Sequence, residues 1–358
     1  MLEYILKKIF NGILVLAGVI TVIFFLFNII PADPAKMMMG QQANEKALAS
    51  IRKELGTDKP LGTQFLIYLN DLSPISIHST KKESSTFFSE EKYGSTITIL
   101  SIENKEIHIK FPYLRKSYQT NKKVSSIIAE TLPATFLLAF AAMAFATILG
   151  IVFGIFAALN KDTVYDRLLL FLASLGMSGP SFFVAIIFAW LFAFVLGDFT
   201  GLNLSGSILE LDDFGESVQY KFKNLILPAF TLGIRPLAVI TQLMRNSLLD
   251  VLSQDYIRTA KAKGLNNYQI IVNHALKNSL APIVTAVSGW FASLMAGAVF
   301  IEYVFGWKGI GKEMLEALDN FDLPVVMGAV LVVSTIFVFI NALVDIIYGV
   351  LDPRVRIY

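Results

Sequence analysis

The chain has no cysteine and only three histidines, His78, His108 and His274, far apart in sequence. That excludes a disulfide framework, a thiolate metal site and a cysteine nucleophile, and it leaves metal chemistry almost nothing to work with. Charge is scarce as well: 16% of the 358 residues are charged and the formal net charge is +2, so there is no basic field of the kind nucleic-acid binding requires. No Ser-His-Asp order, zinc-protease signature or buried carboxylate pair stands out, which leaves an enzyme reading unsupported. What the chain has in abundance is apolar surface. With 55% hydrophobic residues and a mean hydropathy of +0.62, it has the composition of a polytopic membrane protein, not a soluble domain.

A helix crosses the bilayer core with about 20 apolar residues. Six runs qualify: Ile9 to Ile30, Leu132 to Leu159, Leu168 to Leu196, Leu225 to Met244, Leu280 to Ile301 and Pro324 to Leu351. Lys7 and Lys8 precede the first run as they would in a signal peptide, but the run is long enough to span and lacks a small-residue cleavage site, so it reads as a retained first helix. An even number of spans puts both termini on one side. The connections on that side hold eleven basic residues (Lys7, Lys8, Lys161, Arg167, Arg245, Arg258, Lys261, Lys263, Lys277, Arg354 and Arg356) against four on the other (Lys221, Lys223, Lys308 and Lys312). By the positive-inside rule both termini are cytoplasmic, with the long Pro31 to Lys123 segment exempt.

These boundaries give a first transmembrane helix (1–30), an extracytoplasmic insertion (31–123) and a five-helix core (124–358). The insertion opens with a helical pattern, EKALASIRKELG, that ends at Gly56, and its Ser79 to Gly94 stretch, rich in Ser, Lys and Glu, reads as a solvated linker. Thr96 to Ile102 and Glu106 to Phe111 alternate apolar and polar residues around Glu103–Lys105, which predicts a β-hairpin. A lone hairpin is marginal in water, so it should pack on something. The fold class expected is therefore an all-α membrane protein of six helices with a small α+β insertion between the first two.

Within the spans, Gly150 and Gly154 sit at small-xxx-small spacing, as do Gly289, Ser293 and Gly297; such faces let helices approach closely, and the threefold register makes the fifth span the stronger packing or pore-lining candidate. Gly176, Gly179 and Pro180 predict a bend in the third span. Arg235 falls near the middle of the fourth, where a charge costs about 2.5–3.5 kcal/mol by insertion scales and so should face protein or water. It is either a translocation-path residue that meets substrate carboxylates or half of a structural pair, with Asp345 as one partner to consider.

GWKGIGK, Gly306 to Lys312, fits the first seven positions of a phosphate-binding loop, but Glu313 replaces the required Ser or Thr and no strand precedes it. No ATPase site of its own is expected.

Asp255 to Asn278, DYIRTAKAKGLNNYQIIVNHALKN, is a basic amphipathic segment between two long apolar runs. Good helix formers from Tyr256 to Lys263 and a stop at Gly264 predict a short helix, a glycine turn and a second helix. In the second, Ile270, Ile271, Ala275 and Leu276 line one face and Asn273, Lys277 and Asn278 the other. The pattern resembles the EAA loop of ABC-importer permeases of the oligopeptide/dipeptide type. Arg258, Thr259 and Ala260 stand where the general motif has Glu-Ala-Ala, and His274 to Lys277 where it has Ile-x-Leu-Pro; both departures point to the peptide subfamily. Stretches such as IIAETLPAT, EYVFGWKGIGKEMLEALDNFDLPVVMG and NALVDIIYGVLDPRVR extend the likeness over nearly the whole chain except about Ser79 to Lys110.

The resemblance implies a first-permease (B-type) subunit in a bacterial cytoplasmic (inner) membrane, forming half of a pore. It implies a second homologous permease, two cytoplasmic ATPase subunits that hydrolyse the ATP, and an extracytoplasmic binding protein that delivers substrate; this chain itself would bind no cofactor. The coupling loop would then comprise Tyr256, Arg258, Thr259, Ala260, Lys261, Ala262, Lys263, Gly264, His274 and Leu276, with Ala260 expected at a close contact with the ATPase. The subfamily likeness covers carriers of dipeptides, oligopeptides, nickel chelates and some sugars, with peptide first on frequency. A self-contained secondary transporter is the alternative of a different class, but no internal repeat supports it.

Overall fold

The computed structural model describes residues 2–29, 44–46, 48, 49, 52, 57–80, 84, 86–211 and 217–351. Its longer helices are α1 (Leu2–Ile29), α2 (Leu61–Leu72), α3 (Val124–Leu159), α4 (Val164–Ser178), α5 (Ser181–Phe188), α6 (Lys223–Leu252), α7 (Asp255–Ala262), α8 (Ala281–Gly297), α9 (Ile310–Asp319) and α10 (Leu323–Leu351). Among the described residues four helical stretches are long and apolar enough to cross a membrane, at Leu6–Asn28, Val124–Leu159, Lys223–Leu252 and Leu323–Val344. Two bent pairs, Val164–Ser178 with Ser181–Val195 and Asn267–Ser279 with Ala281–Gly297, raise the number to six if each pair is one span.

The break expected at Pro180 is there, and it is more than a kink: the two halves meet at 110°. Gly179 is extended, and the amides of Phe183 and Val184 bond back to the Pro180 carbonyl, which restarts the helix. Beyond it, Ala189–Val195 continues as a π-helix.

By internal packing the chain divides into two units, one of Met1–Ile13, Thr131–Lys312 and Val333–Tyr358, the other of Leu14–Glu130 and Glu313–Val332. The core of the first joins Leu138, Ala142 and Ala146 of α3 to Ile240, Met244 and Leu248 of α6, with Ile257, Ile270, Ile283 and Met295. Here the glycines of the second span matter. A Cβ on Gly154 would stand 2.5 Å from that of Met244, one on Gly150 2.8 Å from an Ile240 methyl, and one on Gly233 2.7 Å from the Ala142 carbonyl. The α3–α6 backbones approach through these gaps, the geometry that small residues permit in lipid. The fifth span buries Ile283, Ala292, Leu294 and Met295, while its glycine face is open within this chain, with nothing within 4 Å of a Cβ built on Gly289 or Gly297.

In the second unit the predicted hairpin forms from β2 (Ile97–Ile102) and β3 (Lys105–Ile109), and it does pack on something, a third strand β1 (Ile75–Ser79), in the antiparallel order β1-β3-β2. The Ser79–Gly94 stretch is not merely a solvated linker: Phe87 bridges to Ser79, Phe88 stacks on His108 at 4.3 Å, and Tyr93 is buried. The reason is Asp71, 2% exposed at the end of α2. Its carboxylate accepts from the Tyr93 hydroxyl at 2.9 Å and Lys92 at 3.4 Å and faces Arg115 at 3.6 Å, while its carbonyl accepts from the Lys110 ammonium and the Tyr113 amide. A buried carboxylate is tolerated only when so satisfied, which recruits both sides of the supposed linker. Asp322 does the same at the start of α10, accepting from Ser117 Oγ and the amides of Tyr118 and Gln119. The EKALASIRKELG pattern falls largely outside the described residues.

Candidate functional site

The segment from Asp255 to Ser279 is built as two helices held in a fixed angle by local chemistry. α7 begins after extended Gln254, with Asp255 in its first turn where the helix dipole favours an acid. Ile257 and Ala260 are buried, whereas Tyr256, Arg258, Thr259, Lys261, Ala262 and Lys263 are exposed. The helix ends in a Schellman arrangement: the Leu265 amide donates to the Ala260 carbonyl at 3.4 Å and the Gly264 amide to that of Lys261 at 3.0 Å. Gly264 has φ +78° and open space where a Cβ would stand, so conformation alone, not crowding, demands glycine.

The second helix opens at once with a capping box that the sequence reading missed. The Gln269 amide donates to Asn266 Oδ1 at 2.8 Å and the Asn266 amide to Gln269 Oε1 at 3.2 Å. Asn267–Gln269 is α-helical, Ile270–Ala275 is π-helical and Leu276–Ser279 returns to α. Ile270 and Ala275 are buried and Ile271 and Leu276 half-buried, while Asn273, His274, Lys277 and Asn278 are exposed, as the amphipathic pattern required. Asn278 donates to the Tyr256 hydroxyl at 2.9 Å, closing the pair, and Ser247 Oγ donates to the Ser279 carbonyl at 3.0 Å, tying it to α6.

Ala260, expected at a close contact with the ATPase, is 5% exposed within this chain and packs in the cluster that holds Ile257, Ile270 and Ala275. The outer face of α7 instead presents Arg258, Thr259, Lys261, Ala262 and Lys263. Ten residues before the segment, Arg245 makes a two-pronged pair with Asp166, 2.6 Å on each side, fastening α6 to α4. Sequence reasoning counted Arg245 only as a loop charge; the available signal was Thr163 three residues before Asp166, whose hydroxyl caps α4 at the Asp166 amide.

Arg235 lies mid-α6, exposed on this chain, and donates to the Gly179 carbonyl at 2.8 Å. It therefore stands at the break of the third apolar run, on a backbone acceptor that the break frees. The side chain of Asp345 lies outside the described residues.

GWKGIGK does hold an acidic group, but the group belongs to the chain. Glu302, fully buried, accepts from the amides of Gly311 at 2.7 Å and Lys312 at 3.1 Å and from Thr135 Oγ1 at 2.6 Å. A Cβ on Gly309 would stand 2.3 Å from this carboxylate. Thr135 in turn accepts from the Ile310 amide, and buried Trp307 donates its indole N–H to the Ala134 carbonyl, so the loop is locked onto α3.

Several apolar helices of spanning length, with a structured basic helix pair outside the apolar runs, define a multi-pass membrane protein. The chain belongs to the family of binding-protein-dependent transport system inner membrane components, whose model matches residues 150–357, while the model for the N-terminal part of such membrane components matches residues 1–84. It is 34% identical to a dipeptide transport system permease protein of Alkalihalophilus pseudofirmus over 99% of this chain and 100% of the relative. It is 32% identical to a di/tripeptide transport system permease protein of Pseudomonas aeruginosa over 99% of each. A looser likeness, 14% identity and TM-score 0.44 over 62% of this chain and 93% of the other, is to the crystal structure of an amino acid ABC transporter with histidines.

Proposed function

We propose that this chain forms half of the pore of an ATP-driven importer of short peptides. The observation that carries the reading is the end-to-end likeness to dipeptide and di/tripeptide permeases. In this reading each bent pair is one span, giving six, with both termini on the cytoplasmic side of a bacterial inner membrane, 31–123 an extracytoplasmic insertion and 124–358 the core. A second permease completes the pore, a binding protein delivers the peptide, and two ATPase subunits hydrolyse ATP while this chain binds none.

The exposed residues of α7 and Ala260 beneath them, together with Gly264, His274 and Leu276 of the helix pair, form the coupling element on which the ATPases act. Four features support a lever: the Schellman turn, the capping box, the Tyr256–Asn278 bond and the Ser247–Ser279 tether make it rigid and join it to α6. The open Gly289–Gly297 face of α8 suits close approach by a helix of the second permease. Arg235 lines the path, where its guanidinium can exchange the Gly179 carbonyl for a peptide carboxylate.

Uptake of labelled short peptides in a strain lacking this chain tests the substrate assignment. Uptake lost on deletion and restored by the intact chain supports it; unchanged uptake across di-, tri- and oligopeptides overturns it.

A further inference from the structure

On the outer surface of α6, beside its first two turns, lies an open cavity of about 410 Å³ that neither the coupling element nor Arg235 touches. Its walls are Ala141 and Phe145 of α3, Phe192 of the π-helical stretch, Leu202, and Phe222, Leu225, Ile226, Leu227, Ala229 and Phe230 at the head of α6, with almost no polar surface among them. The volume falls within the range of ordinary ligand sites, about 300–1,000 Å³.

The shape of the lining argues against a transmembrane helix as occupant. Helices meet in lipid across small residues, as α3 and α6 do at Gly150 and Gly154. This groove is walled by aromatic rings instead, with Phe145 and Phe230 in edge contact at 5.2 Å and Phe188 backing Phe230 at 5.3 Å. Such a wall fits a thin, flexible chain. The groove also has a polar end on one side only. From Phe222 to Phe230 it runs eight residues along α6, about 12 Å at 1.5 Å per residue, and at the Phe222 end stands Lys223. The Lys223 ammonium lies 3.7 Å from the Cβ position of Gly201, next to the groove residue Leu202. Lys221 is occupied by Glu210 at 3.1 Å, whereas Lys223 has no ion pair among the described residues. Just before it in sequence, Tyr220 and the groove residue Phe222 are exposed and stacked at 6.3 Å, the aromatic setting of a membrane interface.

We propose that the groove is a site for one anionic glycerophospholipid, an acyl chain lying along Phe222–Phe230 against Phe145 and Phe192, with the phosphate on Lys223. The site belongs to the permease subunit alone and would hold whatever solute is carried.

The cysteine-free chain makes the test direct. Ile226→Cys carrying a bimane label, in the purified transporter reconstituted in nanodiscs, is titrated with brominated-acyl phosphatidylglycerol, phosphatidylcholine or oleate. The expected result is half-maximal quenching by phosphatidylglycerol at about fivefold lower mole fraction than by phosphatidylcholine, the effect of one interfacial lysine. Lys223→Gln, a surface change, should erase that preference and leave phosphatidylcholine quenching as it was, whereas Ala229→Phe, which fills the groove, should weaken quenching by both. Stronger quenching by oleate than by phosphatidylglycerol would overturn the assignment to a phospholipid. Equal quenching by the two phospholipids, or a preference that survives Lys223→Gln, would overturn the headgroup assignment and with it the site. A label shielded from every lipid would show the groove covered by another subunit and would equally overturn it.

Discussion

At the scale of single residues, two positions show how one atom decides a local structure. Gly264 has empty space around it, so a larger side chain meets no clash; what it meets is a left-handed backbone that costs a Cβ-bearing residue about 1–2 kcal/mol. Gly264→Val should therefore insert normally and accept loaded binding protein, yet lose most of the binding-protein-stimulated ATP hydrolysis of the reconstituted complex. Lys261→Gln with Lys263→Gln should lose less. Wild-type stimulation in Gly264→Val would remove the coupling role. Glu302 is the opposite case, a buried acid whose value lies in the donors it satisfies. Glu302→Ala strands the Thr135 hydroxyl and the amides of Gly311 and Lys312, at about 1–3 kcal/mol for each abandoned donor. Thermal unfolding in detergent, followed through buried Trp307, should fall clearly in Glu302→Ala and less in Glu302→Gln, which keeps one acceptor oxygen.

At the scale of elements, what was legible followed periodicity and punctuation. The apolar runs, the break at Pro180, the β2–β3 hairpin and the helix–Gly–helix of the coupling segment each announce themselves within ten to thirty residues of sequence. What was not legible depends on partners distant in the chain. β1 has only five residues and is stabilised by β3, thirty residues on; the 86–94 stretch is polar enough to read as linker, and only the buried Asp71 explains why Tyr93 and Lys92 fold back. Asp166–Arg245 is likewise invisible until α4 and α6 are side by side. The same network limits how far the insertion can be trimmed. Deleting Glu103 and Asn104 at the hairpin tip should leave transport near normal, whereas Lys110→Ala, which withdraws the ammonium from the Asp71 carbonyl, should raise hydrogen exchange across 75–109. His78 adds a pH dependence to this element. Burial pushes it down to about 4, so it is neutral in the fold while the unfolded chain takes up a proton near 6.5. Its contribution is full above pH 6.5 and is lost as pH falls from 6.5 toward 4. Protection of the 75–109 amides should decline from pH 7 to pH 5 in the wild type and change less in His78→Gln.

At the scale of the whole molecule, the question is whether the bent pairs cross the membrane or turn back within it, because that choice decides on which side the coupling segment lies. If both pairs cross, α3 ends inside, the third span leads out, α6 leads back in, and Gly264 is on the same side as the termini. If both turn back, the chain after Val195 stays inside, α6 leads out, and Gly264 is external. A single re-entrant pair would instead separate the two termini. Charge favours crossing, because two re-entrant pairs would place Arg245, Arg258, Lys261, Lys263 and Lys277 outside. The break itself is compatible with depth in the membrane, since the Gly179 carbonyl is satisfied by Arg235 and so does not face lipid unpaired. Reporters fused after Lys110, after Gly264 and after Leu351 separate the cases. An external signal at Lys110 and cytoplasmic signals at Gly264 and at the end of α10 are the expected set; an external Gly264 with a cytoplasmic end of α10 would convert both pairs to re-entrant loops, and the coupling segment could then no longer meet a cytoplasmic ATPase.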